Sequence, residues 1–200
     1  MQASPPRLVG VHHTARPTWK LKETVEFYRD VLGLPLVHCL VAKGWGPEDH
    51  PDFMHFFFDA GHGATIAFFY YLGTECPPRL EPWDSYVYRA THTAWDCGSP
   101  EELTRWQARL AEKQWPVRHR IRHEIVESIY FTDPNGYLIE IGCPVRPLQP
   151  LDAEDARLSM EAAIQVDEAM KARGERLSRI QDVWSRKGEL VAARLAEGVR

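Results

Sequence analysis

The sequence predicts an α+β fold of two βαβββ modules followed by helices. Three observations carry this. The order strand, helix, strand, strand, strand is read over residues 7–73 and begins again over 86–147. A Pro-rich stretch at 74–85 separates the two runs. From Leu151 to Arg200 the chain turns Ala-, Glu-, Arg- and Leu-rich, with no Pro and three Gly.

The first strand is expected over Arg7 to Thr14, where Leu8, Val9 and Val11 precede His12 and His13. Thr18 can cap a helix that carries Leu21, Val25, Phe27, Tyr28 and Val31 at helical spacing, and Gly33 ends it. Leu34 to Ala42 forms the second strand. A Gly-, Pro- and Asp-containing loop fills 43–52, and Phe53 to Asp59 is the third strand. A Gly61-His62-Gly63 turn leads into the fourth, Ala64 to Leu72.

In the second module the strand Tyr86 to Asp96 contains His92. Ser99 and Pro100 open a helix with Glu101 and Glu102 in its first turn, and Leu103, Trp106, Leu110 and Ala111 give it an apolar stripe. Val117 to Arg122 and Glu124 to Thr132 are strands. Asp133-Pro134-Asn135-Gly136 is a turn, and Tyr137 to Cys143 is the last strand. Residues 151–200 read as two helices broken near Gly174. The second carries a stripe of Leu177, Ile180, Trp184, Val191 and Leu195, expected to pack on the body or on a partner.

Composition narrows the function classes. The chain has 200 residues, 44% hydrophobic and 26% charged, and a formal net charge of −4. That excludes collagen-like and wholly disordered chains and gives no general basic surface for nucleic acid. The longest apolar run, Ile66 to Leu72, is too short to span a bilayer. Met1 to Pro6 shows no basic segment followed by an apolar run, so a cytoplasmic location is expected. Cys39, Cys76, Cys97 and Cys143 form no CxxC pair, which disfavours zinc-ribbon and thioredoxin chemistry and leaves four free thiols. Phosphate loops, Ser/His/Asp elbows and zincin helices are missing. Nine His and the aromatic residues are the unusual enrichment.

Three residues fall where a charged or polar group is awkward in a strand. His13 continues the Val9 and Val11 row, His92 the row of Ala90 and Ala94, and Glu140 the row of Leu138 and Gly142. A carboxylate in such a row must be neutralised, paired or metal-bound. Two imidazoles and one carboxylate from three strands form the 2-His-1-carboxylate set, whose open positions suit non-haem Fe(II). Arg118, His119, Arg120, Arg122 and His123 form a basic run that alternation spreads over both faces of a strand. A solvated edge is its main reading and an anionic substrate the minor one.

Residues 7–145 resemble the vicinal oxygen chelate superfamily, which includes glyoxalase I, fosfomycin-resistance proteins, methylmalonyl-CoA epimerase and type I extradiol dioxygenases. The resemblance rests on His12-His13-Thr14, on Glu26-Phe27-Tyr28-Arg29-Asp30-Val31-Leu32-Gly33-Leu34, on His55 to Asp59 and Thr65 to Phe68, on Thr91-His92-Thr93-Ala94, and on Phe131 through Glu140. It implies metal ligands at His13, His92 and Glu140, with His12 as the fallback for His13.

Four-ligand relatives carry a Glu or Gln on the fourth strand, where Ala67 stands here. That points to three-ligand relatives. Tyr130, ten residues before Glu140, matches the Tyr that hydrogen-bonds a catecholate oxygen in extradiol enzymes. His62 and, with less weight, His123 are the acid–base candidates. His50 and His55 flank the Gly44-Trp45-Gly46-Pro47-Glu48-Asp49 loop and could line the mouth of the site, and Phe56, Phe58, Phe68 and Trp95 are available to line an aromatic pocket.

The implied activity is an Fe(II)-dependent extradiol-type ring-cleaving dioxygenase acting on a catechol-like aromatic and O2. The alternatives are a metal-dependent lyase, isomerase or transferase using Mn(II), Zn(II) or Ni(II), and a metal-free binding protein of the bleomycin-resistance kind. Relatives build the site within one chain or across a homodimer, and the sequence leaves both open.

Overall fold

The computed structural model describes residues 8–45, 48, 50–78 and 85–198. Two compact units divide the chain, Met1–Val145 and Arg146–Arg200.

In the first unit, β1 (His13–Pro17) leads to α1 (Leu21–Glu26), which continues as a π-helical turn over Phe27–Val31. The wider turn is closed by Leu32 N–H donating to Phe27 O, and both Phe27 and Tyr28 are buried beneath it. Gly33, at φ +75°, ends it as expected: Leu34 N–H reaches back to Tyr28 O, a closure that favours glycine. Then come β2 (Leu36–Ala42), β3 (Phe53–Gly61) and β4 (Ala64–Tyr71).

The second module holds a short helix α2 (Tyr86–Arg89), β5 (His92–Asp96), α3 (Pro100–Glu112), β6 (His119–Arg122), β7 (Val126–Thr132) and β8 (Leu138–Pro144). Ser99 caps α3 by accepting from Glu102 N–H, with Pro100 in the first turn.

Each module forms a four-stranded sheet, in the orders β1-β4-β3-β2 and β5-β8-β7-β6. The first strand of each module runs parallel to the last, and the other pairs are antiparallel. Strand alternation gives each sheet a core face and an open face. Phe56, Phe58, Ile66 and Phe68 on one core face, and Ile129, Phe131, Ile139 and Ile141 on the other, join Phe27, Tyr28, Leu103 and Leu110 in one buried cluster.

The Asp133-Pro134-Asn135-Gly136 turn clamps the modules together. Asp133 Oδ1 accepts from Asn135 N–H and Tyr137 N–H, and Oδ2 accepts from the Asn135 amide and from the Tyr28 hydroxyl. Asn135 also bonds Thr18 and Thr24. Burial pushes the Asp133 carboxyl up, opposed by these hydrogen bonds, and pushes the Tyr28 phenol up with the Asp133 charge assisting.

Three sequence expectations change. The first strand begins at His13 because its pairing with β4 runs only from His13↔Thr65 to Pro17↔Phe69. Leu8, Val9 and Val11 are therefore outside the sheet and exposed, and Arg7 lies outside the described residues. Tyr86 to Ala90 is not strand, because Ser85 accepts from Tyr88 N–H and caps α2. Thr18 is not the helix cap: the cap position is Lys20, while the buried Thr18 hydroxyl accepts from Lys20 N–H and bonds Thr24 and Asn135. The middle of the Pro-rich stretch, 79–84, lies outside the described residues.

The second unit is a helical pair, α4 (Pro150–Lys171) and α5 (Ile180–Gly198). Gln149 and Asp152 form a capping box at the start of α4. Leu158, Ala162 and Val183 are its buried residues. Of the stripe expected to pack on the body or on a partner, Ile180, Trp184 and Leu195 are exposed within the single chain. Among the described residues no helix is long and apolar enough to cross a membrane, and all four cysteines are free.

Candidate metal centre

The open face of the second sheet carries the polar cluster. Register explains how it forms. His92 stands opposite Leu138 and Glu140 opposite Ala94, so His92 and Glu140 are diagonal neighbours across a parallel pair. The small Ala94 side chain leaves the diagonal open. His92 Nε2 lies 2.9 Å from Glu140 Oε2. The other carboxylate oxygen, Oε1, accepts from the Ser128 hydroxyl at 2.6 Å.

Ser128 pairs with Gly142, where an added Cβ would stand 2.5 Å from Ser128 Oγ. The glycine thus makes room for the hydroxyl that orients Glu140. The carboxylate is buried, with only 7% of the residue exposed.

The hydrogen pattern at His92 is informative. Its Nδ1 lies 2.9 Å from Arg89 O, and a carbonyl can only accept, so Nδ1 carries the hydrogen. In a neutral ring Nε2 then presents a lone pair to a carboxylate oxygen. Two lone pairs at 2.9 Å require a cation between or beside them, either a proton on Nε2 or a metal ion. Metal bonds of about 2.0–2.1 Å to nitrogen and oxygen, set at a right angle, place the two donors about 3 Å apart. An imidazole anchored through Nδ1 to a backbone carbonyl is the arrangement that orients metal-ligating histidines. The residues present therefore fit a divalent ion.

Tyr130 stands opposite Glu140 on β7, and its hydroxyl lies 3.0 Å from His123 Nε2. Burial raises the Tyr130 phenol, with the Glu140 charge next in size, so it stays protonated at neutral pH. A cavity of about 390 Å³ opens beside these residues, walled by His92, Tyr130, Ile121, Leu138, Arg89 and Arg118.

His13 is on the open face of the first sheet. Its Nδ1 lies 2.7 Å from His12 Nδ1, and its ring sits 6.2 Å from His55 and 5.7 Å from Phe57. Within one chain it does not join His92 and Glu140: among the described residues no group of three His, Cys, Asp or Glu is set to hold a metal. His55 is buried, stacked on Phe69 at 3.7 Å and bonded to Phe68 O, and burial pushes its pKa down. His50 bonds Pro51 O and packs on Phe53 and Tyr71.

His62 occupies the β3–β4 turn at φ +51°. Among the described residues no hydrogen bond or ring contact ties it to His92, Glu140 or Tyr130. Phe56, Phe58 and Phe68 do not line the site. They lie on the core face against Tyr28, and Trp95 packs on the same core. Ala67 is fully buried on the open face, so the fourth strand offers no ligand at that position. Arg89 was not foreseen, because Tyr86 to Ala90 reads as strand; its place at the end of α2 depends on the Ser85 cap. Arg118 belongs to the basic run at 118–123, and that run was the available signal.

The glyoxalase/bleomycin resistance protein/dioxygenase superfamily matches residues 10–141, and the chain belongs to that superfamily. A search of the curated proteins finds no significant match. Among solved structures, a glyoxalase/dioxygenase from Nostoc punctiforme is 23% identical, covering 73% of this chain and 98% of that one with a TM-score of 0.53. A glyoxylase/bleomycin resistance protein/dioxygenase domain from Frankia sp. EAN1pec is 15% identical, covering 71% and 96% with a TM-score of 0.54. The fosfomycin resistance protein FosX from Listeria monocytogenes is 18% identical, covering 70% and 96% with a TM-score of 0.50. At these identities the likeness concerns the fold.

Proposed function

We propose that this chain is a divalent-metal-dependent, Fe(II)-using ring-cleaving dioxygenase of extradiol type acting on a catechol-like aromatic. The observation that carries the reading is the His92–Glu140 pair, two donor atoms facing each other at 2.9 Å with the imidazole anchored through its other nitrogen. The third ligand in this reading is His13, supplied by a second copy of the chain. Leu8 and Val9, just before it, are 94% and 95% exposed within one chain and offer an apolar contact for that copy.

When bound, iron in such a set would hold both vicinal hydroxyls of the substrate, lower their pKa and pass electrons from the ring to O2. The protein groups divide the remaining work. Ser128 keeps Glu140 turned toward His92, and the Arg89 carbonyl fixes the His92 ring. Tyr130, a protonated phenol, donates to a substrate oxygen. His123, 3.0 Å from the Tyr130 hydroxyl, is the acid–base group, a role for which an imidazole can both accept and donate a proton. His62, on the other sheet's turn, has no such neighbour and is the weaker assignment. In the reaction both atoms of O2 enter the product, and the ring carbon–carbon bond beside the hydroxyl-bearing carbons breaks.

The other chemistry of this scaffold, isomerase or lyase turnover, uses a base on the fourth strand. Ala67 cannot take a proton. The test is anaerobic Fe(II) loading followed by catechol and O2. Stoichiometric O2 uptake with a yellow ring-fission product is expected. Iron bound without O2 uptake across a panel of catechols would overturn the dioxygenase reading.

A further inference from the structure

We propose that the cavity beside His92 and Tyr130 binds the anionic group of a ring-bearing organic acid through the guanidinium groups of Arg89 and Arg118. The inference deepens the proposed function by naming the substrate class for that site, and it rests on that reading only for what is done to the ring.

Guanidinium groups in this structure are nearly all spoken for. Arg16 bonds Thr93, Arg29 pairs with Asp30, Arg109 reaches Val31 O, and Arg120 pairs with Glu127. Those of the helical pair are largely tied to neighbouring carboxylates. Among the described residues, Arg89, Arg118, Arg122 and Arg176 alone have side chains without a hydrogen-bond or ion-pair partner. Two of these four wall one cavity, together with His119.

Alternation along β6 turns His119 and Ile121 toward the cavity and Arg120 away from it, to Glu127, Thr104 and Gln107. Arg118, just before the strand begins, also lines the cavity. Arg89 arrives from a different element, the end of α2, whose backbone carbonyl also anchors His92. The two cations therefore converge from separate elements on the cavity that holds a metal-ligand candidate.

Beside the His92 and His119 imidazoles, the remaining walls are Ile121, Leu138, Thr132 and the Tyr130 ring, a largely apolar and aromatic lining that suits a flat ring. About 390 Å³ is ample for one ring with one charged substituent. Among the described residues no carboxylate lines this cavity, so a bound anion meets no like charge from those walls. Arginine favours planar oxyanions through paired N–H donors, which matches a carboxylate and, with one more oxygen, a phosphonate.

The test is calorimetric binding of benzoate, phenylphosphonate and neutral benzyl alcohol to the full chain. None of these has vicinal hydroxyls, so ring cleavage plays no part in the result. Either anion should bind at least about tenfold more tightly than benzyl alcohol. Arg118→Gln and Arg89→Gln should each remove most of that preference, with Arg118→Lys retaining part of it. Arg122→Gln, at the end of β6 and outside the cavity, should change nothing. The tighter of the two anions identifies the group. Anions bound no better than benzyl alcohol, or anion binding equally strong in the Arg118 and Arg89 variants, would overturn the proposal. Arg-dependent anion binding in a protein that cleaves no catechol would leave this proposal standing and remove the dioxygenase reading.

Discussion

The two sheets share a plan but dress their open faces differently. The first presents imidazoles against aromatic rings: His13 near His55 and Phe57, His38 against Phe57, and His55 flat on Phe69. Among the described residues no imidazole of that module bonds a carboxylate. The second presents one imidazole to one buried carboxylate, with a hydroxyl, a phenol and a second imidazole around them. A buried carboxylate is costly unless something positive meets it. One residue, Glu140, therefore separates a face that stacks rings from a face suited to a cation. Topology alone cannot make that choice, since both faces have it in common.

The sharpest way to break the comparison is to test whether the first face donates a ligand at all. His13→Ala and Glu140→Ala chains should each lose metal binding, by more than the roughly 10–100-fold of an outer-shell loss. Mixed together under subunit exchange, they should recover metal and turnover, because the mixed dimer keeps one intact site. Two folded variants that stay metal-free on mixing would contradict a shared site.

The clamp between modules ranks next. Asp133→Ala removes the acceptor for four donors in a buried turn and should cost roughly 3 kcal/mol in urea unfolding. Tyr28→Phe, which frees one acceptor position, should cost about 1 kcal/mol.

A finer effect concerns the support of Glu140. Ser128→Ala should weaken metal affinity by about tenfold with little change in stability. Gly142→Ala should act the same way by displacing the Ser128 hydroxyl, and a Ser128→Ala background should remove that effect.

The smallest effect belongs to the first face. Burial lowers the His55 pKa below its ordinary 6.5, so the folded protein binds fewer protons than the unfolded chain in that window. Stability is then intact above about pH 6.5 and declines as pH falls toward the folded value. His55→Phe should flatten that decline in melts recorded between about pH 8 and about pH 5.

Much of this was legible in the sequence, and what was not has physical causes. The repeated element order, the Gly33 stop and the Ser99 cap are local signals, and local signals survive without the fold. His92 and Glu140 stood out because period-two alternation puts them in apolar rows. The first strand's start was misread because apolar residues before His13 mimic a strand, whereas β4 ends the pairing at His13. Phe56, Phe58 and Phe68 were offered to the pocket because an aromatic residue looks the same on either face. The π-turn places Tyr28 against Phe58 and Phe68 and so claims that face for the core. Arg89 depended on a four-residue helix that no periodicity announces. Asn135 and Asp133 were visible as a turn, but their hydrogen bonds to Thr18, Thr24 and Tyr28 cross more than a hundred residues of chain.

The proposed metal centre depends on Glu140 and His92 together. Its most direct test is the Fe(II) retained per chain after anaerobic loading and desalting, compared for the parent, His92→Ala and Glu140→Ala. Close to one ion per chain is expected in the parent and background levels in both variants. Full retention in either folded variant, or none in the parent with Fe(II), Mn(II), Zn(II) and Ni(II) alike, would contradict it.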